Sequence, residues 1–248
     1  MDREAYSRGT SIYTPDEVIP MLPEHLSNNL CSLHPGSPKA TLSIIMELDL
    51  SGTVVRTRTL ETTIESKQRF TYDEVQEIID VFDEKTKEST ILKNSSPEIL
   101  DLIRNGLELK RILDVRRTKE GKIDFDLKEV KIVTDKQGKV VTISKRDRSE
   151  SHKVIEEFMI LANEEISKFF GLKKIPFLYR VHERPSEEKS DSLIALLDHY
   201  GYHISHETLS PRSLREIMDT LHEKDYYFML SKQILLSMSK AIYSEESL

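Results

Sequence analysis

Met1 to Pro35 reads MDREAYSRGTSIYTPDEVIPMLPEHLSNNLCSLHP, and the reading of the whole chain starts there. Short apolar runs such as Ile12-Tyr13, Val18-Ile19 and Leu30-Cys31 are broken by Gly9, Pro15, Pro20, Pro23 and Pro35. No helical or alternating period lasts ten residues. Irregular backbone of this kind belongs where a site is built rather than where a core is filled.

Beyond it the pattern becomes regular. Pro35-Gly36-Ser37-Pro38 makes a turn. Ala40 to Leu50 alternates apolar and polar residues, Ser51-Gly52 turns the chain, and Thr53 to Ile64 is rich in Val and Thr, which predicts a long hairpin. Thr71 with Glu74 three residues on is the arrangement of a capping box. It opens a helix whose apolar face is Val75, Ile78, Ile79 and Phe82. Lys85 to Ser96 reads as a polar loop. Ser96-Pro97 opens a long helix to about Arg117, with Leu100, Ile103, Leu107 and Ile112 on one face, and Gly121 ends that region.

Ile123-Asp124-Phe125 reads as extended. Val130–Thr134 and Val140–Ser144 flank a turn and predict a second hairpin. A helix is expected from about Ser149 to Phe170, stopped by Gly171. Pro176 to His182 reads as a buried strand, followed by helices near 186–200, 211–222 and 225–243. The sum is an α+β fold: a mixed sheet with hairpins, packed against several helices, with no boundary that splits 1–248.

Composition narrows the function classes. The chain has 248 residues, 38% of them hydrophobic and 32% charged, which suits an ordinary packed core and solvated surface. Its net charge of −7 argues against nucleic-acid binding through one broad basic face. No run of apolar residues is long enough for a membrane span, and the polar start is unlike a signal peptide. The single cysteine, Cys31, excludes an internal disulfide framework and fits a cytoplasmic setting. Walker, GxSxG and CxxC motifs are absent. His199, His203, His206 and His222 have no zinc-ligand spacing.

Several side chains suit a nucleic-acid site. Tyr13 could stack on a base, because every base has a π-face, or could be a core strand tyrosine. Arg8 could grip a phosphate bidentately or order its loop through a salt bridge. Glu156 and Asn163 are seven apart on one helix, so they share a face, and Glu157 lies about 100° round from Glu156. A carboxylate such as Glu156 can accept a hydrogen bond from a ribose 2′-hydroxyl, which DNA lacks; the plainer alternative is a surface charge. His152 lies one turn before it. Arg180 and His182 alternate on a strand and face one side, either toward a ligand or as a structural pair.

Three segments carry a specific resemblance. The first is the opening 35 residues, close to a pattern LDREA…RGTSVY…VIPMLPE.LSN.LCSL.P. The second is His152-Lys153-Val154-Ile155-Glu156-Glu157-Phe158-Met159-Ile160-Leu161-Ala162-Asn163. The third is Leu178-Tyr179-Arg180-Val181-His182-Glu183. In this order they resemble the catalytic (RNB) domain of the ribonuclease II and ribonuclease R exoribonucleases, nearer to ribonuclease R in wording. The resemblance runs through residues 1–248.

The resemblance implies a processive 3′-to-5′ exoribonuclease that hydrolyses single-stranded RNA to nucleoside 5′-monophosphates in RNA decay, using Mg²⁺, as a cytoplasmic monomer with no membrane association. It casts Tyr13 as the ring on the last base and Glu156 as the sugar contact, and it puts the strand of Arg180 and His182 near the RNA path. It assigns the metal to an aspartate cluster upstream of LDREA, and phosphate stabilisation to an arginine in a downstream TSPIRRYPD segment. Neither lies in these 248 residues. The chain is therefore expected to be a partial catalytic domain without activity of its own; the alternative is a non-catalytic, truncated RNA-binding relative. One departure is Asn29 where the family has Gly, a position expected to tolerate left-handed backbone.

Overall fold

The computed structural model describes residues 1–15, 17–123, 129–135, 137–146, 148–183 and 185–246. The chain divides into two compact units. The first comprises Met1–Asp49, Thr53–Leu107 and Leu127–Ile155; the second comprises Leu50–Gly52, Glu108–Asp126 and Glu156–Leu248.

The first unit begins with α1 (Asp2–Arg8), ended by Gly9 in the left-handed region at φ 66°. Two short strands, β1 (Ile12–Tyr13) and β2 (Val18–Ile19), pair antiparallel. A π-helix spans His25–Leu30. It contains Asn29, which is not left-handed: Glu84 and Lys174 are the described non-glycine residues with positive φ. The helical hydrogen bonding of this turn takes the place of the expected left-handed one.

The predicted long hairpin is present as β3 (Pro38–Leu48) and β4 (Val54–Glu65), in register from Pro38↔Glu65 to Leu48↔Val54. The capping box of α2 (Tyr72–Phe82) is fully formed. The Glu74 amide donates to Thr71 Oγ1 at 3.3 Å, and the Thr71 amide donates to the Glu74 carboxylate at 2.6 Å. Ile78 and Ile79 of α2 are completely buried. The stretch read as a loop instead contains α3 (Thr90–Asn94), because Ser89 caps it by accepting from the Leu92 amide.

A long helix, α4 (Pro97–Lys119), passes from the first unit into the second. The second predicted hairpin is β5 (Glu129–Thr134) with β6 (Val140–Arg146). Asp124 and Phe125, expected to be extended, lie outside the described residues. The helix α5 (Glu150–Lys173) runs through Gly171, which does not stop it. A Cβ at Gly171 would meet only the Tyr179 hydroxyl, at an ordinary contact distance of 3.5 Å.

In the second unit β7 is Tyr179–His182, with Tyr179 buried and Arg180 and His182 exposed, so the expected buried strand has only one buried position. It is paired with β8 (Ala241–Ser244), a segment expected to be helical. The preceding helix α8 (Tyr227–Ser237) stops where Met238 becomes extended. With α6 (Glu187–His199) and α7 (Pro211–Leu221), α8 forms the core of this unit. Leu193, Leu197, Leu214, Met218, Leu221, Leu230 and Ile234 cluster there.

The α+β class holds, with the strands in four separate two-stranded antiparallel sheets among the described residues. No described helix is long and apolar enough to cross a membrane.

Candidate nucleic-acid interface

The irregular opening segment is held by its own polar atoms. Ser11 Oγ accepts the Met21 amide at 2.9 Å, and the Thr14 amide donates to the Glu17 carbonyl at 2.9 Å. These bonds fix β1 against β2 and put Tyr13 opposite Val18. The Tyr13 ring is 78% exposed, so the core-tyrosine alternative is excluded and its face is open to solvent. Arg8 donates to the Glu4 carboxylate and to the Pro20 carbonyl. The loop-ordering alternative is thus the arrangement present, and a phosphate at Arg8 would compete with Glu4. A groove of about 420 Å³ runs beside it, lined by Glu4, Arg8 and Val18–Glu24.

In the second unit α5 carries the other candidates. Glu156 is half-buried and Asn163 exposed. Asn163 and Arg180 line one groove of about 840 Å³, whose wall includes Ser167, Lys168, Phe177 and Leu178. The Arg180 guanidinium lies 5.8 Å from the centroid of the Tyr243 ring, which faces it across the β7–β8 pair. His182 is turned to structure: its Nδ1 meets the Ser239 carbonyl at 3.0 Å, and since a carbonyl only accepts, Nδ1 donates. His152, in the first unit, stacks on Tyr72 with ring centroids 4.0 Å apart, and its Nδ1 lies 2.6 Å from Ser149 Oγ.

The residue next to Glu156 behaves quite differently. Glu157 is 1% exposed. Its Oε2 accepts from Arg117 Nε at 2.8 Å and its Oε1 from Lys122 Nζ. Arg117 also grips both oxygens of Glu164, Nη2 at 3.0 Å. Lys122 continues to Asp114 at 3.0 Å, and Asp114 to Lys110 at 2.6 Å.

Burial alone would raise the Asp114 carboxyl, yet the hydrogen bonds from Lys110 and Lys122 outweigh it and hold the group below its ordinary range. Burial works against the charge on Lys122, and its bonds to Glu157 and Asp114 reverse that, raising its pKa. Arg117 is raised in the same way, with Glu164 and Glu157 overcoming burial.

Sequence reasoning missed this network because Lys, Arg and Glu on helices ordinarily read as solvated faces. The available signal was the spacing: Glu157 and Glu164 are seven apart and share a face of α5. Among the described residues no group of three or more His, Cys, Asp or Glu is placed to hold a metal. The expected Mg²⁺ therefore has no fitting donor set among them.

Tyr13 thus stands exposed on a loop pinned by its own polar atoms, and the groove of Asn163 and Arg180 carries Lys168 and Glu164 among apolar residues such as Ile166, Leu172 and Phe177. The RNB domain family model matches residues 1–248, and the chain belongs to that family. It is 39% identical over 250 residues to ribonuclease R 2 of Lactococcus lactis subsp. lactis (strain IL1403), covering 100% of this chain and 36% of that protein. It is 38% identical over 247 residues to ribonuclease R of Thermotoga maritima, covering 98% of this chain and 34% of that protein.

Ribonuclease R of Mycoplasma genitalium, solved in complex with ribose-methylated single-stranded RNA, superposes with a TM-score of 0.89. The identity is 29%, over 100% of this chain and 38% of that one. The chain thus spans about a third of the length of the curated relatives it matches.

Proposed function

We propose that this chain is part of a processive 3′-to-5′ exoribonuclease that hydrolyses single-stranded RNA to nucleoside 5′-monophosphates. The observation that carries the reading is the likeness, over the whole of this chain and 38% of the other, to a ribonuclease R solved with ribose-methylated single-stranded RNA. In this reading Tyr13 stacks on the 3′-terminal base. Its exposed ring suits contact with any base, each such contact contributing roughly 1–3 kcal/mol. Glu156 accepts a hydrogen bond from a ribose hydroxyl and so favours RNA over DNA. Asn163 and Arg180, neighbours in one groove, contact the strand further along. Arg8 and His182 act through the scaffold, which their hydrogen bonds support.

Magnesium, held by aspartates of the complete enzyme, belongs to this proposal, as do a cytoplasmic setting and a monomeric state. The partial-domain reading of 1–248 belongs to it too. In this reading the 248 residues taken alone release no nucleotide.

The test uses a 5′-labelled single-stranded RNA incubated with Mg²⁺ and the protein that carries this chain. Stepwise shortening from the 3′ end with monophosphate release is expected. An intact RNA, or internal cuts, overturns the reading. Monophosphate release by the 248 residues alone overturns the partial-domain part of it.

A further inference from the structure

We propose that Arg117 is a positioning residue for RNA recognition, its guanidinium fixing the rotation of α5 so that Glu156 and Asn163 face the strand. The inference rests on the proposed role of Glu156.

The geometry is specific. Glu157 and Glu164 lie two turns apart on α5, about 10 Å along its axis. One buried guanidinium holds both: Nε on Glu157 at 2.8 Å, and Nη1 and Nη2 on the two oxygens of Glu164. A helix gripped at two points on one side cannot roll about its axis. Glu156 and Asn163 each precede a gripped residue, so each is held about 100° round from the grip.

Lysine could not do this. Its ammonium is a point donor on a flexible stem, whereas the planar guanidinium offers five donors in a fixed fork. Lys122 braces the Glu157 end by donating to its other oxygen, and is itself braced by Asp114. Arg117 and Glu157 are 8% and 1% exposed, so the pair is out of reach of the RNA and acts only through α5.

The experiment compares the affinity of a fluorescein-labelled oligoadenylate with that of its deoxy counterpart, by anisotropy, and reads the ratio of the two dissociation constants. Wild type, Glu156→Ala, Arg117→Lys and Glu164→Gln are measured, each with its thermal unfolding midpoint. A purely structural loss weakens RNA and DNA binding alike and leaves the ratio unmoved.

The expected result is a wild-type preference for RNA that Glu156→Ala, which leaves no acceptor, abolishes. Arg117→Lys should cut it roughly tenfold, as misplacement of a contact does, and Glu164→Gln by a smaller factor. Glu164→Gln leaves the Arg117–Glu157 bond in place, so it remains informative if Arg117→Lys does not fold. A wild-type ratio in folded Glu164→Gln and Arg117→Lys, with the preference lost in Glu156→Ala, overturns the role of Arg117 while the reading of Glu156 stands. A preference that survives Glu156→Ala, or a wild type with none, overturns both.

Discussion

Arg117 Nε meets Glu157 Oε2 at 2.8 Å with both side chains almost wholly out of water, while Glu156, one residue earlier, remains half-buried. Breaking a buried pair leaves an uncompensated charge, at about 3–5 kcal/mol. Glu157→Ala should therefore destabilise the second unit by that amount, and Glu156→Ala by no more than about 1 kcal/mol. Urea unfolding of the two variants checks this. Equal midpoints would show that the buried pair contributes nothing that the half-buried Glu156 does not.

The same network sets a pH window. Asp114 is held below its ordinary value of 3.8, so its contribution is present above that value and lost as pH falls through the folded one. Lys122 is raised above 10.5, so its contribution is complete below 10.5 and lost as pH rises through the folded value. Stability from these two groups should be flat between about pH 5 and 9 and fall on both sides. In Asp114→Asn the acid-side fall should be shallower, as read from denaturant midpoints across pH.

At the start of α2, Thr71 and Glu74 satisfy each other's backbone amides. Thr71→Ala removes the cap acceptor and should cost about 1 kcal/mol. Thr71→Ser should restore most of it. Hydrogen exchange of the first-turn amides of α2 reads the effect locally; unchanged protection in Thr71→Ala would refute the cap's contribution.

Gly52 turns the β3–β4 hairpin at φ 80°, and a Cβ there would lie 3.0 Å from Ile112 Cγ2 and 3.3 Å from Leu113 Cδ2. Leu113 is completely buried and has little room to give. Gly52→Ala combines left-handed strain with overpacking and should destabilise by about 2–4 kcal/mol. At Gly138, φ 78° with open space around it, alanine meets only the strain and should cost about 1–2 kcal/mol. Thermal midpoints for the two variants in the opposite order would contradict this.

Tyr13 packs on little within its own unit, so Tyr13→Ala should leave the unfolding midpoint within about 0.5 kcal/mol of wild type. In the complete ribonuclease it should weaken the hold on the last nucleotide and lengthen the final undigested fragment. An end product of unchanged size would remove Tyr13 from the site.

Much of the architecture was legible from neighbours in the chain. The capping box, both long hairpins and the apolar faces of α2 and α4 follow from contacts within a few residues, where spacing alone dictates what can meet. The rigid, polar-pinned segment around Tyr13 could be read as a site, because proline and glycine punctuation rules out regular structure there. The alternatives for Tyr13 could not be separated, since exposure depends on what the rest of the unit places over the ring.

Tertiary structure decided the remainder. Ala241–Ser244 continues a helical-looking run, and only its pairing with Tyr179–His182, about sixty residues earlier, makes it a strand. Gly171 looks like a helix stop, yet α5 runs on to Lys173.

Glu156 and Glu157 are identical residues side by side. Sequence by itself determined that they point in different directions, because a helix turns 100° per residue. Which of them is buried was decided by Arg117 and Lys122, 40 and 35 residues earlier, whose charges make burial of Glu157 tolerable.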